Sequence, residues 1–253
     1  IVCVVGTRPE AIKMAPVIIA LRENKNFDVK ILATGQHAAM LDQVLDFFKL
    51  TADTNLHIMK DRQTLDYITA SVLTGAGEYF DEIKPSAVLV HGDTTTTFAA
   101  RLAAFYRNIP VGHVETGLRS GNIRLPFPEE MNRVLADRFV TWGFAPTELA
   151  AQNLRSEGMA EDKISVTGNT VIDALFYTVA SRTKPECEEL KALPEGSPFV
   201  LVTAHRRESW GKPLAEICGA LTDLIDAHPE LWMVIPMHKN PAVREVFHQY
   251  LDG

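Results

Sequence analysis

Cysteine is scarce in these 253 residues, and the three present, Cys3, Cys187 and Cys218, are far apart, odd in number and without metal-type spacing. A disulfide framework and a cysteine-built zinc site are excluded as organising devices, and a reduced, cytoplasmic setting is expected. Long apolar runs are missing as well. The candidates, such as 86–90, have strand length and fall far short of the roughly 20 residues of a membrane helix, so no membrane partner is expected. The chain opens on an apolar strand without a charged leader region or a cleavage site, so a signal peptide is not expected; the first residue is not Met, which leaves the natural start open. No block of five or more basic residues occurs and the net charge is −7, which argues against nucleic acid as a partner. There is no GxGxxG fingerprint, no GxSxG elbow and no zinc-type His and carboxylate spacing. Hydride transfer, serine hydrolysis and metal hydrolysis therefore lack their usual residues.

What is present is the ordinary mixture of a globular protein, 46% hydrophobic and 23% charged. The length exceeds what one core of roughly 150 residues usually serves, so a second unit is expected, with a cleft between the two. The apolar, β-branched run 1–5 breaks at Gly6 and is followed by helical periodicity over 11–21. The same grammar recurs with strands at 29–33, 87–90 and 111–114 and helices at 40–48 and through Leu102 and Phe105. A further strand is expected at 139–142, then a helix over 147–155 and a strand at 164–166. Alternating β and α units predict a parallel sheet covered on both faces. The first domain is placed at 1–168. A Lys, Glu and Pro-rich connection follows over 169–198, and a second, partial α/β domain over 199–253 with strands at 199–203 and 231–236 around a helix at 214–227.

Ligands of open parallel sheets bind beyond the carboxyl ends of the strands, and here those ends are polar. After the first strand come Gly6-Thr7-Arg8-Pro9-Glu10 and then Lys13, where a helix start and two cations suit an anion; a plain turn with a solvated Arg and Lys competes equally. After 87–90 come His91-Gly92-Asp93 and four threonines. Asp93 is either a functional carboxylate or the cap of the next helix. Glu115 follows 111–114 and has little structural reason to stand there. Glu129 and Glu130 follow a Pro-Phe-Pro loop, where acidic residues also suit the first turn of a helix. In the second domain, His205, Arg206 and Arg207 follow a strand and suit a diphosphate, or else pair with Glu208. His238 is a weaker candidate. Carboxylates and two cationic clusters together imply an anionic ligand and acid–base work.

Taken together, the segments GTRPEAIKMAP (6–16), GQH (35–37), MLDQ (40–43), HGDTTTTFAA (91–100), VGHVETGLRSGN (111–122), PFPEEMNR (126–133), TGNTVIDAL (167–175) and TAHRRESWG (203–211) resemble the bacterial, non-hydrolysing UDP-N-acetylglucosamine 2-epimerases, in order and along essentially the whole chain. The resemblance implies a GT-B fold of two Rossmann-like parallel-sheet domains, the second incomplete in this chain. It implies an isomerase of cell-surface polysaccharide synthesis that epimerises C2 of UDP-N-acetylglucosamine by elimination and re-addition of UDP, with no cofactor and no metal. By motif match, Asp93, Glu115, Glu129 and His205 are the catalytic residues, and Arg8, Lys13 and Arg206 bind substrate. Gln36, Arg62, Arg206 and His238 match a second, activating UDP-N-acetylglucosamine site, weakened here by Ala38 and Ala39. A homodimer and a closing motion between the domains are also implied. Family members carry a further C-terminal segment that helps hold the nucleotide, so this chain by itself is expected to be incomplete and possibly inactive. The alternatives are a hydrolysing epimerase, a GT-B glycosyltransferase and an inactive sugar-nucleotide binding fragment.

Overall fold

A computed structural model of the chain describes residues 1–35, 38–181, 187–204, 211–237 and 241–251, with the side chains of Ala38, Ala39 and Ala242 left out. The chain forms two compact units, Ile1–Arg182 and Thr183–Gly253.

The first unit alternates strands and helices: β1 (Val2–Val5), α1 (Arg8–Glu23), β2 (Lys30–Ala33), α2 (Ala38–Phe47), β3 (Thr54–Asn55), α3 (Leu65–Ile83), β4 (Val88–His91), α4 (Thr95–Phe105), β5 (Val111–Val114), α5 (Glu129–Asp137), β6 (Trp142–Ala145), α6 (Glu148–Ser156), β7 (Ile164–Val166) and α7 (Val171–Ser181). The seven strands make one parallel sheet in the order β3-β2-β1-β4-β5-β6-β7. The order reverses between β1 and β4, and such a reversal opens a crevice at the carboxyl ends of the two strands. The strands read as unbroken apolar runs because both faces are covered. Along β1, Cys3 and Val5 enter the core shared with α1, α2 and α7, whereas Val2 and Val4 enter the core shared with α3 and α4.

The expected parallel sheet holds, with the unforeseen edge strand β3 and three further local differences. Helix α3 is absent from the sequence reading, although Ile68, Val72, Ala76 and Phe80 recur at helical spacing and are buried. The strand expected at 139–142 lies at Trp142–Ala145. The apolar residues ahead of it are used elsewhere: Val140 is buried and the Phe139 ring packs on Phe105 at 5.4 Å. The region read as a connection after Gly168 begins with α7, whose Ala174 and Tyr177 join the core of α1 and α2, so the first unit continues to Arg182.

The second unit contains a short helix α8 (Glu188–Lys191), β8 (Phe199–Leu201), α9 (Lys212–Ala227), β9 (Trp232–Val234) and α10 (Pro241–Leu251). Strands β8 and β9 pair in parallel. Leu214 and Cys218 of α9 pack with Val243 and Phe247 of α10. Among the described residues, no helix is long and apolar enough to cross a membrane.

Candidate active site

The loops after β1, β4 and β5 lie side by side at the reversal of the sheet. Gly6 ends β1 where no side chain fits: a Cβ there would stand 2.4 Å from Thr96 Oγ1 and 2.7 Å from Thr34 Oγ1. Thr7 then caps α1, with Glu10 in the third helical position, an arrangement in which the acid reaches back to the cap amide. Glu10 is buried, and its carboxylate accepts from the amides of Gly6 (2.8 Å) and Thr7 (2.7 Å) and from the Thr94 hydroxyl of the next loop. Two amides expected to face an anion are thus occupied by the protein's own carboxylate.

The two cations of this loop part company. Arg8 is exposed and lines an apolar cavity of about 350 Å³ formed by α1, α2 and α7, among Ile12, Val44, Phe47 and Leu175. Lys13 points to β5, where its Nζ lies 2.8 and 2.6 Å from the two carboxylate oxygens of Glu115. Glu115 has a structural reason for its place after all. It stands at φ 66°, an uncommon conformation for a residue with a side chain, and also accepts from Asn169 Nδ2 at 2.7 Å. His91 Nε2 is 3.7 Å away, too far for a hydrogen bond but close enough for charge. Burial works against ionisation of this carboxyl, yet His91 and Lys13 outweigh it and bring its pKa down to about 2.

Asp93 is not the helix cap. Thr94 takes that place, its hydroxyl accepting from the Thr97 amide at 3.1 Å. Asp93 is left free, and Arg133 of α5 grips its Oδ2 with Nε at 2.8 Å and Nη2 at 2.5 Å. The backbone of the turn is held as firmly. The His91 carbonyl accepts from the Thr97 hydroxyl, that of Gly92 lies 2.7 Å from His113 Nε2, and that of Asp93 accepts from Asn132 Nδ2 at 2.8 Å. Gly92 itself adopts φ 71°.

The two glutamates of the Pro-Glu-Glu segment differ in use. Glu130 is buried and accepts from the amides of Ser120 (2.8 Å) and Gly121 (3.3 Å) and from Arg133 Nη1 (2.9 Å). Glu129, in the first turn of the same helix, is half-buried and makes no hydrogen bond or ion pair among the described residues. Asn132 and Arg133 follow it by about one turn, so α5 brings Glu129 to the Asp93 turn. Arg62 lies exposed in the loop before α3, at φ 52°. Gln36, His205, Arg206 and His238 lie outside the described residues.

Sequence reasoning passed over Asn169 and Arg133, which hold the carboxylates of Glu115 and Asp93, and over Asn132 and His113, which hold the backbone carbonyls of the turn at Asp93. Asn169 sits in the polar loop after β7, a position of the same kind as those of the candidates after β1, β4 and β5.

A profile of the UDP-N-acetylglucosamine 2-epimerase family matches residues 19–253. The chain is 48% identical over 257 residues to the UDP-N-acetylglucosamine 2-epimerase of Escherichia coli strain K12, covering 99% of this chain and 68% of that one. It is similar in structure to the UDP-GlcNAc 2-epimerase from Neisseria meningitidis bound to UDP-GlcNAc, with a TM-score of 0.89, 45% identity, and coverage of 100% of this chain and 69% of the other. It is similar also to the Methanocaldococcus jannaschii UDP-GlcNAc 2-epimerase in complex with UDP-GlcNAc and UDP, with a TM-score of 0.75, 32% identity, and coverage of 98% and 68%. The chain spans about two thirds of the length of these relatives. Its two parallel-sheet units agree with the expected GT-B organisation. With the match running from one end of the sequence to the other, this chain belongs to the UDP-N-acetylglucosamine 2-epimerase family.

Proposed function

We propose that the chain belongs to an isomerase that inverts C2 of UDP-N-acetylglucosamine, giving UDP-N-acetylmannosamine. The C2 proton is removed as the bond from C1 to the diphosphate oxygen breaks, leaving UDP and an unsaturated sugar. A proton then returns to the opposite face of C2 and UDP adds back to C1. The observation that supports this reading is that Asp93 and Glu115 follow β4 and β5 beside the sheet reversal where an open α/β fold takes its ligand, with Glu129 in the first turn of the helix whose Arg133 grips Asp93. The three are unequal. Glu115, ionised and bound to Lys13, accepts a proton or tethers the lysine but does not donate a proton at neutral pH. Asp93 is oriented by Arg133, and Glu129 is free to engage a ligand. Proton exchange at C2 is therefore assigned to Asp93 and Glu129. Arg8 serves the substrate, and His205 and Arg206 assist at the diphosphate.

The test is solvent deuterium exchange into C2 of UDP-N-acetylglucosamine, run on this chain and on a longer version extended to the length of its relatives. Exchange in the longer version that falls at least about 100-fold in Asp93→Asn and in Glu129→Gln supports the assignment. Release of free N-acetylmannosamine would instead favour a hydrolysing enzyme, and no exchange in either version would sink the reading. The reading extends to a second UDP-N-acetylglucosamine that activates through Gln36, Arg62, Arg206 and His238, and to a homodimer. Hyperbolic kinetics unchanged by Arg62→Ala would remove the activator, and a monomeric mass in sedimentation would remove the dimer.

A further inference from the structure

His113 lies wholly buried in the middle of β5, inside an otherwise apolar strand. Its two ring nitrogens face two oxygens: Nε2 is 2.7 Å from the Gly92 carbonyl and Nδ1 is 2.6 Å from Asp137 Oδ1. A carbonyl oxygen only accepts. Asp137 Oδ1 also accepts from the Thr116 hydroxyl at 2.6 Å, and Oδ2 accepts from Arg119 Nη2 at 2.9 Å and from the Gly117 amide at 3.1 Å. The Arg101 guanidinium of α4, itself fully buried, stands 3.8 Å from Oδ1, and Glu157 engages the far side of Arg119 at 2.7 Å. Asp137 is thus an acceptor surrounded by donors.

A neutral imidazole has one N–H and one bare lone pair. Either tautomer would therefore set a nitrogen lone pair against an oxygen at 2.6 or 2.7 Å in a dry interior, where unmatched polar contacts are costly. The contacts are satisfied only if one proton sits between Nε2 and Gly92 and another between Nδ1 and Asp137. Burial first, and then the charge of Arg101, lower the pKa of the ring against the opposing pull of Asp137 and the Gly92 carbonyl; the two short contacts argue the other way, because neither a carbonyl nor an ionised carboxylate can supply the missing donor. Both ions of the pair still carry a desolvation cost, which their 2.6 Å contact and the donors that Thr116, Gly117 and Arg119 bring to Asp137 offset.

We propose that His113 is a positioning residue: paired with Asp137, it keeps a proton on each ring nitrogen and clamps the Gly92 carbonyl, fixing the turn that presents Asp93. The clamp completes a set of three, since Thr97 and Asn132 hold the carbonyls on either side. Loss of any one frees a single peptide; loss of the middle one releases the glycine at φ 71° on which the turn pivots. Its importance for catalysis rests on the reading of Asp93 as a proton-transfer group, whereas the protonation state does not.

The experiment is nitrogen-15 NMR of the histidine-labelled 253-residue chain, with the His113 signals assigned by their loss in His113→Asn. Two N–H couplings on His113 that persist unchanged from pH 6 to pH 8.5 are expected. A single N–H with one bare ring nitrogen anywhere in that range overturns the proposal. The second arm measures C2 deuterium exchange for His113→Asn beside Val72→Ala, a core truncation in α3 that serves as a control for general destabilisation. His113→Asn is expected to lower kcat about 100-fold, as misplacement of a reacting group does, with KM changed less than about threefold. Val72→Ala should leave kcat near the parent value. Equal kcat for His113→Asn and the parent would refute the positioning role. This arm is run in the version extended to the length of its relatives; should neither that parent nor the 253-residue chain exchange deuterium, the epimerase reading fails, while the NMR result on the unsubstituted chain still decides the clamp. It decides it equally if His113→Asn does not fold, with His113→Gln then giving the assignment.

Discussion

The Lys13–Glu115 pair makes the sharpest quantitative prediction. Glu115 is 11% exposed and Lys13 22%, so solvent screens the pair only in part. A carboxyl of ordinary pKa 4.5 brought to about 2 favours the ionised form in the folded chain by about 3 kcal/mol. The sign follows from the direction of the change. A depressed carboxyl contributes its full stability above the unfolded pKa near 4.5, and that contribution drains away as pH falls through about 2. Glu115→Gln should therefore cost about 2 to 3 kcal/mol at pH 7 and flatten the acid limb of the stability curve. Lys13→Met, which leaves Asn169 and His91 in place, should cost less at the carboxylate. The double variant should fall short of the sum by about 1 to 3 kcal/mol, because the two side chains touch. The assay is urea unfolding followed by Trp142 fluorescence, with Trp210 and Trp232 replaced by Phe so that only the first unit is read. A loss below about 1 kcal/mol for Glu115→Gln at pH 7, or acid limbs for parent and variant that run parallel between pH 4.5 and pH 2, would refute the reasoning.

Three further outcomes follow from the same loops. Glu10→Ala strands two amides and the Thr94 hydroxyl and should cost about 3 kcal/mol or more, while Glu10→Gln, which can still accept from the amides and donate to Thr94, should cost about 1 kcal/mol; equal urea midpoints for the two variants would contradict this. Gly6→Ala forces a Cβ against Thr96 and Thr34 and should destabilise by about 1 to 3 kcal/mol, and Thr96→Ala added to it should recover part of the loss; no recovery would mean that Thr34, not Thr96, sets the limit. Cys3 is buried and its thiol pKa is pushed up to about 12, so alkylation of the native chain at pH 8 should modify Cys187 and leave Cys3 intact until the first unit unfolds. Mass-spectrometric detection of labelled Cys3 at the rate of Cys187 would show that the core around β1 opens freely.

The strands were the most legible part of this chain because burial on both faces turns each into a bare apolar run, and the site was legible because polar residues interrupt the chain where those runs stop. Helix α3 escaped although its apolar spacing is regular, and β6 was read three residues early because Phe139 and Val140 look like a strand but pack as side chains of a connector. The capping pair went unread although its pattern is in the sequence: Thr7 and Glu10 have the spacing in which an acid three residues into a helix closes on its cap, and on that pattern Glu10 belongs to the fold and not to a ligand. The supporting residues are harder. Nothing in the spacing of His113 and Asp137 announces a contact between them, since a strand and a helix end meet only after the sheet has formed. Their signal is of another kind. His113 interrupts an apolar strand and Arg101 an alanine-rich helix, each at a position where burial calls for an apolar side chain. A polar residue kept in such a place costs stability unless it is paired, and the places where local rules fail are those where function is served. In this chain both exceptions converge on Asp137, and through His113 the cluster reaches the Gly92 carbonyl, in the turn that carries Asp93.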